Sequence, residues 1–509
     1  MNDTPPDWSS ELEQKARREK MAEAMGGQEK VERQKARGKL TARERLTALI
    51  DDDSFREIGK LAGMGRYDDT GKLITSSPSN FIYGQAQIEG RSVVASADDF
   101  TVRGGASDAA IHRKFVHAEQ MAAEYGIPLI RMIDGTGGGG SVKSLEDMGY
   151  TYVPMIPGFE VVADNLQNVP VVSLALGPCA GLGAVRVVAS HYSVMVKGLS
   201  QVFTAGPAIV APLGEVLDKE GLGGSSIQTR NGVVDDEVAD EAEAFARARA
   251  FLSFLPSCAG GSLPRIQSGD DPTRKDEELL SIVPRDRAQT YSMRRIVRSV
   301  MDRGSVFEIG RKWGRAAITA MARLDGWPVA VIASDPTFLG GSWTADTAQK
   351  VRRHVDLASR FGLPVVNLVD NPGFMIGLDA ERAGTIRRGV ETMQAIYASQ
   401  VPWATVIVRK AYGVAGAAMS DHTRFQYRAA WPSGDWGSLP IEGGVEVAYQ
   451  SDLAKSDDPE AELVRIKAKL AEVTSPFRTA ERYAIEDIID PRETRPFLTN
   501  FVRLAMRDQ

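Results

Sequence analysis

Two stretches of the chain place small residues where backbone chemistry is possible. LGPCAGLGAVRVVAS (176–190) and VRKAYGVAGAAMS (408–420) each follow an apolar run and pass through glycine and alanine into a helix-forming segment. The first N–H groups of a helix have no carbonyl of their own, so with no bulky side chain in the way they can point at an oxygen that gains charge. That is an oxyanion hole, the device of acyl chemistry. Close helix packing asks for the same small residues, and the two readings stay open at this point.

Side-chain chemistry is less visible. His112, His117, His191, His354 and His422 form no ligand spacing and no nucleophile elbow is present, so the histidines read as solvent-facing or satisfied by a neighbour. No metal site is expected. IDGTGGGGSVKS (133–144) follows an apolar run and contains GxGxxG at Gly135, Gly137 and Gly140. In a glycine tract that pattern is nearly automatic, and Val142 before Lys143 breaks the phosphate-loop spacing.

The elements that position these stretches come in two copies. GIPLIRMIDGTG (126–137) and GLPVVNLVDNPG (362–373) share glycine, proline, apolar run, aspartate and glycine in one order. The match extends without a gap from Ile82 against Ile318 at an offset of 236, and PVVSLALGPCAG aligns with PWATVIVRKAYG at 232. A repeat this large is a duplicated domain and not a solenoid. Each copy reads as strands at 92–97 and 328–334, helices at 108–125 and 344–361 ended by Gly126 and Gly362, then further strands. That alternation predicts an α/β class with largely parallel pairing. The polar stretch 268–289 reads as a linker, giving domains 1–270 and 271–509.

Bulk composition sets the outer bounds. The chain has 509 residues, 43% of them apolar and 25% charged, with 49 glycines and a formal charge of -6. So small a net charge shows no nucleic-acid footprint. Two cysteines, Cys179 and Cys258, build neither a disulfide framework nor a CxxC site, and no run of about 18 apolar residues occurs. A cytoplasmic protein with no membrane partner is the expectation. The charged segment 11–25 reads as a solvated helix face or a partner-facing one.

At this point the motifs carry a resemblance. ARGKLTARERLTALIDDDSFREIG (36–59), GPCAG at 177, LVDNPGF at 368, RKAYG at 409 and IIDPRETR at 488 resemble the β subunit of biotin-dependent acyl-CoA carboxylases, the propionyl-CoA carboxylase carboxyltransferase type. The resemblance runs from about residue 30 to the C-terminus, in order, and includes the duplication. It implies two tandem crotonase-like (ββα-superhelix, ClpP/crotonase) domains, with acyl-CoA on the N-domain side, carboxybiotin on the C-domain side and the active site between domains of different subunits. Carbon dioxide from carboxybiotin would be captured by the enolate of the acyl thioester, and two oxyanions would develop. By resemblance, copy one offers the amides of Gly181, Leu182 and Gly183, and copy two those of Gly413, Val414 and Ala415. Contacts to CoA and biotin fall to Gly137, Gly138 and Ala180, and to Gly373, Phe374, Tyr412 and Gly416.

The same resemblance implies a dimer assembled into a hexamer. It also implies a separate α subunit carrying biotin carboxylase and biotin, because no AMKM-like site and no ATP-grasp pattern occurs here. The sequence departs from the family at Leu182 and Val414, where small residues are usual, at Ala417, where an aspartate linked to acyl choice stands, and in DGTGGGGSVKSLED, which replaces DGAGARIQEG. These departures leave the acyl group open. Two alternatives stand beside carboxylation: decarboxylation of a carboxyacyl-CoA, and a non-catalytic CoA-binding assembly subunit.

Overall fold

A computed structural model describes residues 7–507 except 107, 108, 110, 136–145, 147, 148, 152, 154, 157 and 440. The predicted sites Gly137 and Gly138 lie outside the described residues. The chain divides into two compact units, 1–253 with 257–259 and 254–256 with 260–509.

Unit 1 is built on a seven-stranded sheet. It opens with the short strand Arg56–Glu57 and the antiparallel hairpin Phe81–Ile88/Arg91–Asp98, then continues in parallel through Leu129–Ile133, Val171–Ala175, Tyr192–Val196 and Asp236–Val238. Unit 2 repeats the plan with Phe307–Ile309, the hairpin Ala317–Leu324/Trp327–Ser334, then Val365–Asn371, Trp403–Tyr412 and Tyr427–Ala430. Both hairpins begin and end 236 residues apart, and the strands Val171–Ala175 and Trp403–Tyr412 begin 232 apart. The central strands of both units are buried along their whole length, which is why they read as apolar runs without alternation.

Each hairpin leads through a helix to the next strand. His112–Tyr125 and Ala345–Phe361 end at Gly126 (φ 59°) and Gly362 (φ 73°), whose left-handed caps stop the helix before the Pro-led strand. In unit 1 the Leu129–Ile133 strand packs with Phe81, Tyr83, Phe115, Ala118 and Val171 in one core cluster. No helix among the described residues is long and apolar enough to cross a membrane.

One sequence expectation changes here. The 268–289 stretch is not a linker but part of unit 2: Arg274 binds Asp270 and the carbonyls of Ser299 and Met301, and Arg495 binds the carbonyl of Asp271. Of the histidines, His354 is not solvent-facing. It is 4% exposed on the Ala345–Phe361 helix, and burial lowers its pKa to about 4.

The buried histidine predicts an acid limb in the stability of unit 2. Between pH 6.5 and about 4 the unfolded chain holds a proton that the folded one does not, so stability rises with pH across that window and is lost as pH falls through it. The size is about 3 kcal/mol over the window, at about 1.4 kcal/mol per unit. Urea titrations should show His354→Leu flattening this limb, and an unchanged limb would remove histidine as its cause.

Candidate active site

The two glycine turns occupy the same place in each unit. Strand Val171–Ala175 leads through Pro178–Ala180 to Gly181 and the helix Leu182–Val188, while strand Trp403–Tyr412 leads to the helix Gly413–Ala417. Gly181 has φ 53° and Gly413 φ 60°, a left-handed conformation that a side chain disfavours. The turn aims the opening N–H groups of each helix, those of Leu182 and Gly183 and those of Val414 and Ala415, off its N-terminus. Such groups have no intrahelical acceptor and lie at the positive end of the helix dipole.

Close backbone approach fixes the floor of each turn. A Cβ on Gly183 would stand 2.4 Å from the carbonyl oxygen of Gly135, and one on Gly416 would stand 2.6 Å from the carbonyl carbon of Ala411. Gly105 and Gly341 are a matched pair: each lies where a Cβ would be 2.4 Å from the carbonyl oxygen of the strand-end aspartate, Asp134 or Asp370. Packing and chemistry therefore do not compete for these glycines. The close contacts hold the helix, and the held helix presents the donors.

Each helix is also held from behind, by different chemistry at one alignment position. In unit 1, Arg131 donates to the carbonyl of Ala189 (2.6 Å) just past the helix end, and Glu119 grips its guanidinium through two 2.8 Å bonds. Asn165 donates to the second Glu119 oxygen and completes a buried network. In unit 2 the residue 236 positions on is Asn367, whose Nδ2 donates to the carbonyl of Met419 (2.9 Å), joined there by Trp403 Nε1 and Thr405 Oγ1. None of these residues was singled out from sequence. The available signal was a polar residue at one position of both otherwise apolar runs, PLIRMID and PVVNLVD.

The strand-end aspartates are fully buried and neutralised by unlike partners. Asp370 receives Arg409 Nε (3.0 Å), the Tyr291 hydroxyl (2.8 Å) and the backbone N–H of Lys410 (3.1 Å). In unit 1 the residues aligned with Arg409 and Lys410 are Gly177 and Pro178. Asp134 instead meets Lys39 (2.5 Å) and Arg45 (2.8 Å), both from the N-terminal KLTARER segment. A Cβ on Gly177 would lie 1.9 Å from Asp134 Oδ1, so glycine makes room for that arrangement. Pro178 has no N–H to give, and Asp134 Oδ1 has no donor among the described residues.

Pro178→Ala tests this reading. The new N–H would complete what Lys410 does for Asp370, and a hydrogen bond to a buried charge contributes about 1.5–3 kcal/mol. Loss of the proline's restraint on the unfolded chain costs about 0.4–1 kcal/mol. A net gain of about 1 kcal/mol in urea unfolding is expected, and a net loss would mean that the oxygen is already satisfied.

Structure thus brings Gly181, Leu182 and Gly183 together at one turn, with Ala180 leading into it, and Gly413, Val414 and Ala415 at the other. The predicted contact residues of unit 2 join the second turn. Asn371 donates to the carbonyl of Ala415 (3.1 Å) and accepts from the N–H of Gly373 (2.9 Å), while Gly373 lies against the carbonyl of Tyr412. Phe374 follows, its ring 6.2 Å from that of Trp343 and seated where Gly389 has no side chain. Val414 is half exposed and Ala417 exposed, so neither fills the core behind the turn. Cys179 is buried, and desolvation drives its thiol pKa far up, which removes it as a nucleophile.

Two matched glycine turns stand on a duplicated fold, and comparison decides the family. The carboxyl transferase domain model matches residues 33–509. The chain belongs to the carboxyl transferase family. It is 32% identical over 492 residues to the methylmalonyl-CoA decarboxylase subunit alpha of Veillonella parvula, covering 95% of this chain and 93% of that one. It is equally 32% identical over 499 residues to the propionyl-CoA carboxylase carboxyltransferase subunit of Haloferax mediterranei, covering 96% and 95%. Among solved structures, the hexameric transcarboxylase 12S with methylmalonyl-CoA and methylmalonic acid bound is similar at TM-score 0.88 and 28% identity, over 99% of this chain and 96% of that one. The two units are accordingly tandem crotonase-like domains. The chain is an enzyme, a carboxyltransferase of the biotin-dependent acyl-CoA carboxylase type, and its activity is carboxyl transfer between biotin and an acyl-CoA.

Proposed function

We propose that this carboxyltransferase moves a carboxyl group from carboxybiotin, carried on a separate biotin carboxylase and biotin carrier subunit, to the α-carbon of an acyl-CoA. The observation that carries the proposal is the twinned glycine turn, Gly181 at φ 53° and Gly413 at φ 60°. Biotin supplies, when bound, the activated carboxyl group and a ureido nitrogen able to take the α-proton. The chain's part is electrostatic. The amides of Leu182 and Gly183 hold the thioester oxygen as it becomes an enolate oxygen, and those of Val414 and Ala415 face the ureido oxygen. The unit 2 residues suit the planar ureido ring of biotin: Phe374 offers a fixed, half-buried ring beside Gly373, and Asn371 ties that loop to the donor helix. Gly137, Gly138 and Ala180 take the CoA side, and Tyr412 and Gly416 shape the biotin side.

The subunit works as a dimer within a hexamer, in keeping with the assembly of the 12S neighbour, which light scattering of the purified chain reads directly. The test of function is to purify the protein with whatever co-elutes and assay ATP- and biotin-dependent bicarbonate incorporation across an acyl-CoA panel. Carboxylation of one panel member, with a biotinylated partner present, is expected. If no member is carboxylated and no biotinylated partner appears, the proposal fails.

The reverse direction has an observation of its own, since the Veillonella decarboxylase subunit matches as closely as the carboxylase subunit. Reversal uses the same amides, because the transition state is shared. Transfer from methylmalonyl-CoA to free biotin without ATP reads it.

A further inference from the structure

Unit 2 contains a cavity of 500 Å³ beside the strand Trp403–Tyr412, walled by the 279–287 stretch, Lys410, the 431–435 turn and residues 474–476. The volume is that of a small-molecule site, far more than one ion needs. Its charges are unbalanced. Arg409 is taken up by Asp370, and Arg287 by Asp435 Oδ2 at 2.8 Å. Lys410 and Arg285, also in the wall, have no ion pair among the described residues. On the acidic side, Asp435 is 5% exposed and its Oδ1 is buried with no donor among those residues.

Two uncompensated cations call for a dianion, and an orphan carboxylate oxygen calls for a hydrogen-bond donor. A phosphomonoester carries close to two negative charges at neutral pH. We propose that this cavity binds a hydroxylated phosphomonoester, its phosphate between Lys410 and Arg285 and a hydroxyl donating to Asp435 Oδ1. Asp435 opens the short strand Asp435–Gly437, whose register places it opposite Lys410 on Trp403–Tyr412. Carboxyl transfer as described above uses none of Lys410, Arg285 or Asp435, so the site stands apart from the amide donors.

Calorimetry on the full chain, with ribose 5-phosphate as the probe, tests the site. Binding is expected, weakened at least about tenfold by Lys410→Met and by Arg285→Ala, the factor that loss of one charge-assisted hydrogen bond gives. Arg285 lies exposed, so its variant reads the proposal even if the Lys410 variant fails to fold. Asp435→Asn should weaken ribose 5-phosphate relative to inorganic phosphate, whose binding can only gain from the Arg287 charge this variant releases. Absence of binding, or binding indifferent to both cation variants, overturns the proposal. So does inorganic phosphate binding as tightly as ribose 5-phosphate. Complete displacement by CoA would assign the binding to the phosphoribose of the acyl-CoA substrate and overturn a separate site.

Discussion

Replacing Gly413 by valine should lower kcat about 100- to 1000-fold, the range seen when one oxyanion donor is lost. At φ 60° a β-branched residue is a genuine outlier, and the turn must rotate to accept it. A Cβ there already stands 3.5 Å from the carbonyl oxygen of Ser438, so the added methyl groups have little room in the existing turn. Rotation swings the N–H groups of Val414 and Ala415 away from the ureido oxygen they are proposed to face. Alanine at the same position is the graded control. It bears only the left-handed penalty of about 1–2 kcal/mol in stability and can keep the turn, so its kcat should stay within about tenfold of wild type. KM for acyl-CoA should change little in either variant, because the acyl side is assigned to Gly181 and its neighbours. Steady-state kinetics at a temperature where each variant remains folded decide the matter. Full activity in a folded Gly413→Val protein would remove the amides as the source of rate.

How much of this was readable before the structure differs from feature to feature. Hairpin, helix and following strand were legible because a duplicated, fully buried sheet leaves apolar runs at one offset, and the observed strands keep that offset at Phe81 and Ala317. Gly181 and Gly413 were legible as a pair, although sequence could not tell packing from chemistry; the contacts of Gly183 and Gly416 show the packing, and the chemistry rests on the proposal above. Arg409 lay inside a quoted motif, four residues before Gly413 on the strand that leads into it. Its counterpart Arg45 lies 89 residues from Asp134, and nothing local in the sequence joins them. The 268–289 stretch misled because proline and charge are loop signals, whereas here Arg274 and Asp270 bind each other and the chain returns to the unit. Arg131 and Asn367 were passed over because a polar residue in an apolar run reads as an interruption. Their task, holding the end of a helix that begins after the next strand of the sheet, is visible only in three dimensions.

The second large effect is structural and falls on unit 1. Arg45 is fully buried; its guanidinium gives Nη1 to Asp134 (2.8 Å), Nε and Nη2 to Glu241 (3.1 and 2.6 Å), and Nη2 also to the carbonyl of Leu176 (2.9 Å). The two carboxylates raise its already high pKa, so it is charged at any accessible pH. Arg45→Met keeps the volume and removes all four bonds. Asp134 retains Lys39, but Glu241 loses both contacts to the guanidinium while only 5% exposed. Breaking a buried pair from one side costs about 3–5 kcal/mol, a large share of the roughly 5–15 kcal/mol that holds a domain folded. Adding Glu241→Gln to Arg45→Met should return part of that loss, since the remaining group no longer carries an unpaired charge. Urea unfolding of the two variants measures both terms, and an Arg45→Met protein within 1 kcal/mol of wild type, on the order of a surface pair, would contradict the assignment. The same substitution should also reduce activity. Asp134 precedes Gly135, and the carbonyl of Gly135 is the surface on which Gly183 rests. A shift of the aspartate moves that floor, and with it the N–H groups of Leu182 and Gly183.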